Sequence, residues 1–336
     1  MVRGFVSGAM KRRQALATLG AAPLACAVPA HAQQDLPLIA VLVPGTSKFA
    51  AERVASIRQG LKEAGLAEGS HYRLEARFAN GDFERLPGLA IELAALKPRL
   101  FVASAAAAVA VHETLPDMPL VFCSYALDPI KAGFAQSFVR PGGNATGNIM
   151  NAVGGEEALT QKRLGLFKEL VPDLKRLGFV STATSTLAVL ELAALRSVAS
   201  RVGFEVVHHP IEKVDDVEKA VATTVADRVQ ALYVSGETLL YNNMARVLPP
   251  IMAAGKPTLS TYPDWARAGI LMSYSADLLD DFRRAGIYAA KILGGERPGD
   301  LPIEQASKFV LAVNVRTARQ LGITVPPTFL ADEVFD

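Results

Sequence analysis

The sequence predicts an α/β protein of two doubly wound, parallel-sheet lobes joined by a multi-strand hinge and preceded by a short leader. Three observations carry this. Short apolar runs alternate with helix-period segments along the chain, which implies βαβ units. The rhythm breaks at Pro141-Gly142-Gly143-Asn144-Ala145-Thr146-Gly147 and then restarts. The length, 336 residues, suits two domains better than one core.

Leu38 to Val43 (LIAVLV) is an unbroken apolar run, as a strand buried on both faces requires. Phe49 to Ala64 has helical spacing and stops at Gly65. Tyr72 to Phe78 alternates as a strand, and Phe83 to Leu96 is helical up to Pro98. Leu100 to Ala103 and Leu120 to Cys123 are further strands, with an Ala-rich helix after Ser104. The glycines of 141–147 favour turns and mark the approach to the second lobe. Beyond it, Leu177 to Ser181, Phe204 to His208, Ala231 to Ser235, Thr258 to Leu259 and Ile270 to Tyr274 are strand candidates. Helical stretches near 186–202, 214–227 and 240–254 separate them. Asp277 to Leu293 is an amphipathic helix, Phe309 to Val313 a last strand, and a short helix ends at Gly322. The expected division is 36–147 plus about 275–298 for the first lobe, and 148–274 plus about 299–332 for the second.

Residues 1–32 differ from the rest. Arg3, Lys11, Arg12 and Arg13 stand there without an acidic residue, an apolar stretch runs from Ala15 to Val28, and Ala30-His31-Ala32 is a small-x-small cleavage site. Arg12-Arg13-Gln14-Ala15-Leu16 reads as a twin-arginine export signal, or as a chance pair in an ordinary secretory leader. Either implies export, with cleavage after Ala32; Met10 is an alternative start, and Cys26 an alternative, poorly matched lipidation site. Without the leader, Lys plus Arg falls from 35 to 31 against 33 acidic residues, so the formal charge moves from +2 to −2. No basic stripe for nucleic acid remains. Cys123 is then the lone cysteine, so core burial rather than a disulfide must stabilise the chain.

Ligands of open α/β sheets gather beyond the carboxyl ends of the strands, where helix N-termini offer free N–H groups. That places Thr46, Ser47, Ser104, Ser124, Tyr125 and Asp128 in the first lobe's share of a site. Ser181, Thr182, Thr184, Glu237, Tyr262 and Asp264 make the second lobe's share, and Tyr274 near a crossing is hinge or site. Each has a plainer reading. Ser104 and Ser181 suit helix caps, and Asp128-Pro129 suits a turn. Glu237 and Asp264 could take an ammonium group or be solvated loop acids. Trp265 with Tyr262 could wall an aromatic ligand or pack the core, and Arg77, Arg246 and Arg267 suit either anions or surface.

Little in the sequence suggests catalysis or a cofactor. His208 and His209 are strand neighbours facing opposite ways, Cys-x-x-Cys and Gly-x-Ser-x-Gly are absent, and Cys123 has no evident base. An exported two-lobed enzyme acting through Cys123 stays as an alternative, as does a ligand-sensing subunit for a membrane receptor.

Several segments taken together resemble a known family. Gly60 to Gly69 (GLKEAGLAEG), Gly81 to Pro87 (GDFERLP) and Arg140 to Gly147 (RPGGNATG) come first. Lys162-Arg163-Leu164 with Leu170-Val171-Pro172, Leu271 to Tyr274 with Asp277-Leu278, and Pro302 to Phe309 (PIEQASKF) follow in order. The pattern is similar to that of ABC transporter substrate-binding proteins of the tryptophan-binding-like family, over about 40–335. The resemblance implies a type I periplasmic-binding fold and capture of a small organic ligand between two lobes, with an aromatic or branched amino acid as the expected ligand and a small organic acid as the alternative. It also implies a permease and an ATPase as partners and favours Asp128 as a site residue; the leader implies the periplasm, and a monomer is expected. The chain departs from the pattern at Pro44-Gly45-Thr46-Ser47, at Val102-Ala103-Ser104-Ala105 and at Gly236-Glu237, which suggests a different ligand.

Overall fold

A computed structural model describes residues 36–151 and 155–336. The leader, with its Arg12-Arg13 pair, Cys26 and the Ala32 cleavage site, lies outside the described residues.

The first sheet is laid down by β1 (Leu38–Val43), α1 (Ser47–Glu63), β2 (Arg73–Phe78), α2 (Leu86–Ala95), β3 (Leu100–Ser104), α3 (Ala106–Thr114), β4 (Leu120–Tyr125) and β5 (Ala145–Ile149). α4 (Gly155–Leu170) then begins the second half. It continues through β6 (Arg176–Thr182), α5 (Thr186–Val202), β7 (Glu205–Ile211), α6 (Val217–Ala226), β8 (Ala231–Val234), α7 (Thr238–Asn242) and α8 (Met244–Ala253). After these come β9 (Thr258–Ser260), α9 (Pro263–Ala268) and β10 (Met272–Ala276). α10 (Leu278–Leu293) and β11 (Glu304–Gln305) return to the first half; β12 (Phe309–Asn314), α11 (Val315–Gln320) and β13 (Glu333–Phe335) finish the second.

The strand orders are β2-β1-β3-β4-β5-β11 and β7-β6-β8-β9-β10-β12-β13. The first sheet is parallel throughout, and in the second only β10 and β12 run antiparallel. Alternation along β1 explains the layering. Ala40 and Leu42 face α2 and α3, packing with Leu89, Leu93 and Val111, while Ile39 and Val41 face α1 and α10, packing with Ile57, Leu61 and Phe282. In the second half Leu177 and Phe179 meet α4 and α5, and Val180 and Leu232 meet α6, α8 and α9, where Trp265 is buried.

The chain passes between the sheets three times: after β5, at Asp277, and between β11 and β12. The last passage falls after residue 305 rather than near 298, because the dipeptide Glu304–Gln305 pairs with β5. α10 lies against α1 at backbone contact. A Cβ on Gly60 would stand 1.8 Å from the Arg283 carbonyl oxygen, and one on Gly286 2.1 Å from that of Ile57. The turn-rich segment 141–147 is partly strand: β5 begins at Ala145, and Gly147 at φ +149° brings its backbone against Phe122.

Candidate functional site

The two sheets turn their carboxyl ends towards each other across a hollow of about 70 Å3. The first lobe lines it with Gly45, Arg53, Ser104, Ser124 and Phe282, and the second with Gly236, Tyr241, Asn242 and Tyr262. A larger hollow of about 880 Å3 lies elsewhere, among Pro98, Pro119, Asn144 and Pro298. Pro98, Pro119 and Asn144 precede β3, β4 and β5, so it sits at the amino ends of the strands, away from where parallel sheets collect ligands.

Each wall is built by local chain geometry. Ala105, directly after β3, and Ser124, the next-to-last residue of β4, both lie in the left-handed region at φ +47°. Such positions cost about 1–3 kcal/mol and cluster at ligand clamps. Here they turn the chain at the rim of the hollow. Ser124 Oγ is buried with no hydrogen-bond partner among the described residues, and so is Asn242 Nδ2, which α7 carries over from the second lobe.

Arg53, from α1, is the cation of the site. Its Nη2 donates to the Tyr241 hydroxyl at 2.7 Å, and its guanidinium lies 5.4 Å from the Tyr241 ring centre and 5.9 Å from that of Phe282. No carboxylate pairs with it among the described residues, although it is only 9% exposed. Tyr241 donates in turn to Asp264, which also pairs with Arg267. A hydrogen-bonded chain thus runs from α1 of the first lobe to α9 of the second. Burial holds the Tyr241 and Tyr262 phenols above their ordinary pKa, so both are neutral donors.

The residues expected from the sequence separate into three groups. Ser104, Ser124 and Tyr262 line the hollow. Thr46 and Ser47 stand just beyond it at the start of α1, Asp264 lies in an adjoining groove that shares Arg53, and Tyr274 stacks on Phe309 with ring centres 6.0 Å apart. The others are engaged elsewhere. Tyr125 packs in the first core against Phe122 and Phe134, and burial pushes its phenol up to about 12. Asp128 accepts the Ile130 N–H at 2.9 Å in an exposed turn. Thr184 is exposed. Ser181 Oγ lies 2.9 Å from His208 Nε2. Glu237 accepts the Thr182 N–H and hydroxyl, both at 2.6 Å, so these two groups hold the β6–α5 turn together.

Arg53, Tyr241 and Asn242 escaped the sequence reading because they sit inside helices rather than at strand ends. A buried charge on the apolar face of a helix was the available signal for Arg53. Burial raises the Cys123 thiol well above its usual range, so it stays protonated. His208 and His209 bond to Ser181 and Thr223 respectively, on different faces of β7, and the described residues include no metal-binding group of three.

The chain is 24% identical over 266 residues, 79% of its own length and 75% of the other's, to a tyrosine-binding protein of Clostridioides difficile (strain R20291). It resembles the crystal structure of an ABC domain in complex with L-Trp from Streptococcus pneumonia, with a TM-score of 0.80, 23% identity, and coverage of 89% of this chain and 100% of that one. A conserved domain protein from Vibrio cholerae gives a TM-score of 0.79 at 24% identity, covering 89% and 99%. The fold is that of type I periplasmic binding proteins. Residues 38–334 match the family described as ABC transporter substrate binding protein, and with nearly all of the two-sheet unit inside that match, the chain belongs to it.

Proposed function

We propose that this chain is the extracytoplasmic solute-binding component of an ABC transporter and holds an amino acid between its two lobes. The observation that carries the reading is Arg53: a buried guanidinium that has no carboxylate partner among the described residues, beside Ser124 Oγ and Asn242 Nδ2, which have no hydrogen-bond partner among them either. Those three groups are cationic or able to donate, and they suit a ligand carboxylate. The tyrosine-binding relative and the L-Trp complex support an amino acid as the bearer of that carboxylate.

The hollow has room for only a few water-sized groups, so an amino acid enters when the lobes part and is enclosed when they meet. Ser104, Ser124 and Tyr262 contact it, with Thr46, Ser47 and Tyr274 at the margins. The protein acts as a binder and not as an enzyme; the protonated, buried Cys123 supports this. A permease and an ATPase receive the loaded monomer. The twin-arginine leader delivers the protein to the periplasm.

A thermal-shift screen of the purified protein against L-amino acids and small organic acids tests the reading. A ligand at a hundredfold excess over its Kd stabilises the folded state by about 2.7 kcal/mol. Unchanged melting with every amino acid and acid tried would sink it.

A further inference from the structure

On the second lobe's side, a smaller hollow of about 20 Å3 lies beside the first, and Met150 and Tyr262 line both. Glu156 and Arg163 reach it from α4, Glu191 from α5, and Thr261 from the loop after β9. Arg163 Nη1 donates to Glu156 Oε1 at 3.2 Å and to the Tyr233 hydroxyl at 2.6 Å, while its Nε donates to the Tyr274 carbonyl at 2.9 Å. Glu191 is 1% exposed; it accepts from Ser235 Oγ, from the Gly236 N–H at 3.2 Å and from the Tyr233 hydroxyl at 3.4 Å.

Arg163 pairs with Glu156 and makes no hydrogen bond to Glu191, so among the described residues one guanidinium stands near two carboxylates, and with both ionised the cluster is one cation short. Thr261 points the same way. It is 5% exposed, its Oγ1 is buried without a hydrogen-bond partner among the described residues, and it borders this hollow. Glu156 Oε2 likewise accepts no hydrogen bond from the described residues. The space suits one group the size of a water molecule.

We propose that this hollow receives an ammonium group of the ligand, held by Glu156, Glu191 and Thr261 Oγ1, and that Glu191 gives up a proton when it arrives. The inference rests on the amino-acid reading above and deepens it: the ligand is a zwitterion, its carboxylate towards Arg53 and its ammonium towards Glu191. Burial, and next the charge of Glu156, pushes the Glu191 carboxyl up to about 8, against the opposing pull of Ser235, Arg163 and Gly236. The groups facing it are Glu156 and Arg163 on α4, Tyr233 on β8, Ser235 just after that strand, and Tyr262 ahead of α9. Glu191 thus holds its proton at neutral pH until the ligand cation supplies the missing charge, and the proton then leaves to solvent. Below about pH 8 the affinity rises with pH, by up to about tenfold per unit.

Calorimetry on the purified protein tests this. The probes are L-tyrosine and L-tryptophan beside 3-(4-hydroxyphenyl)propionate and indole-3-propionate, which lack only the amine. Titrations run at about pH 6 and about pH 7.5 in buffers of different ionisation heat. The expected result is binding about a hundredfold weaker for the acids without the amine, and release of close to one proton per amino acid bound at about pH 6, falling to about three-quarters at about pH 7.5. Glu191→Gln should bind without that release, and Glu156→Gln, at a more solvated position, guards against a folding defect in the first variant. Equal affinity with and without the amine, or no proton release from the wild type, would overturn the proposal and leave the carboxylate reading standing. Failure of every L-amino acid in the thermal-shift screen, these two included, would remove the ligand reading itself, and this inference with it.

Discussion

Arg53 delivers its buried charge to a phenol and two aromatic rings, an arrangement that leaves most of its hydrogen-bonding capacity open towards the hollow. Arg53→Ala is expected to weaken amino-acid binding by about 2–5 kcal/mol, and Arg53→Lys to restore part of it, as read by calorimetry. Glu237 behaves differently. Its carboxylate is fully used by Thr182, so Glu237→Ala should lower the unfolding free energy by about 1–3 kcal/mol in urea melts. Glu191 sets a pH dependence. Its carboxyl is raised from its ordinary value of 4.5 to about 8 in the fold, so the folded state binds the extra proton. The resulting stability is fully present below about 4.5 and is lost as pH rises towards about 8. Urea midpoints for Glu191→Gln should therefore gain on the wild type between those limits, and a constant difference would contradict the assignment. Ser104, Ser124 and Tyr262 reached the hollow from strand-end reasoning alone, because sheet topology dictates those places. Glu191, in the run Ala188 to Arg196, looked like one more helix residue, since a single sequence does not show which helix face a cavity interrupts.

The close crossing of α1 and α10 depends on two glycines at the contact. Gly60→Ala or Gly286→Ala would push a methyl into backbone, and either should cost about 1–3 kcal/mol and lower the melting temperature. Gly165, exposed in α4 with open space around it, is the counter-case: Gly165→Ala should stabilise by about 0.5–1 kcal/mol. Most elements could be read from the sequence for one reason. β1, β3 and β4 are buried on both faces and therefore continuously apolar. β5 resisted because its ATGNI stretch carries Gly147 and Asn148; the strand holds them by letting Gly147 touch Phe122 and by bonding Asn148 Nδ2 to the Asp281 carbonyl at 2.9 Å. β11 and β13, with two and three residues, are too short for periodicity to register.

At the scale of the molecule, the link from Arg53 through the Tyr241 hydroxyl to Asp264 joins the lobes at the mouth of the hollow. Tyr241→Phe removes that hydroxyl and keeps the ring. Ligand dissociation should then quicken by about tenfold in stopped-flow traces, with the small-angle scattering radius of the liganded protein rising towards that of the free one. An unchanged rate and radius would make the link incidental. The passage of chain between sheets after β5, at Asp277 and after β11 bears on the same motion. A single tether would let one lobe swivel over the other, and a ligand would have to freeze that rotation before it could be gripped. Three tethers side by side resist torsion and shear and leave bending about one line, so the lobes meet in the same register on each cycle and little binding strength is lost to aligning them.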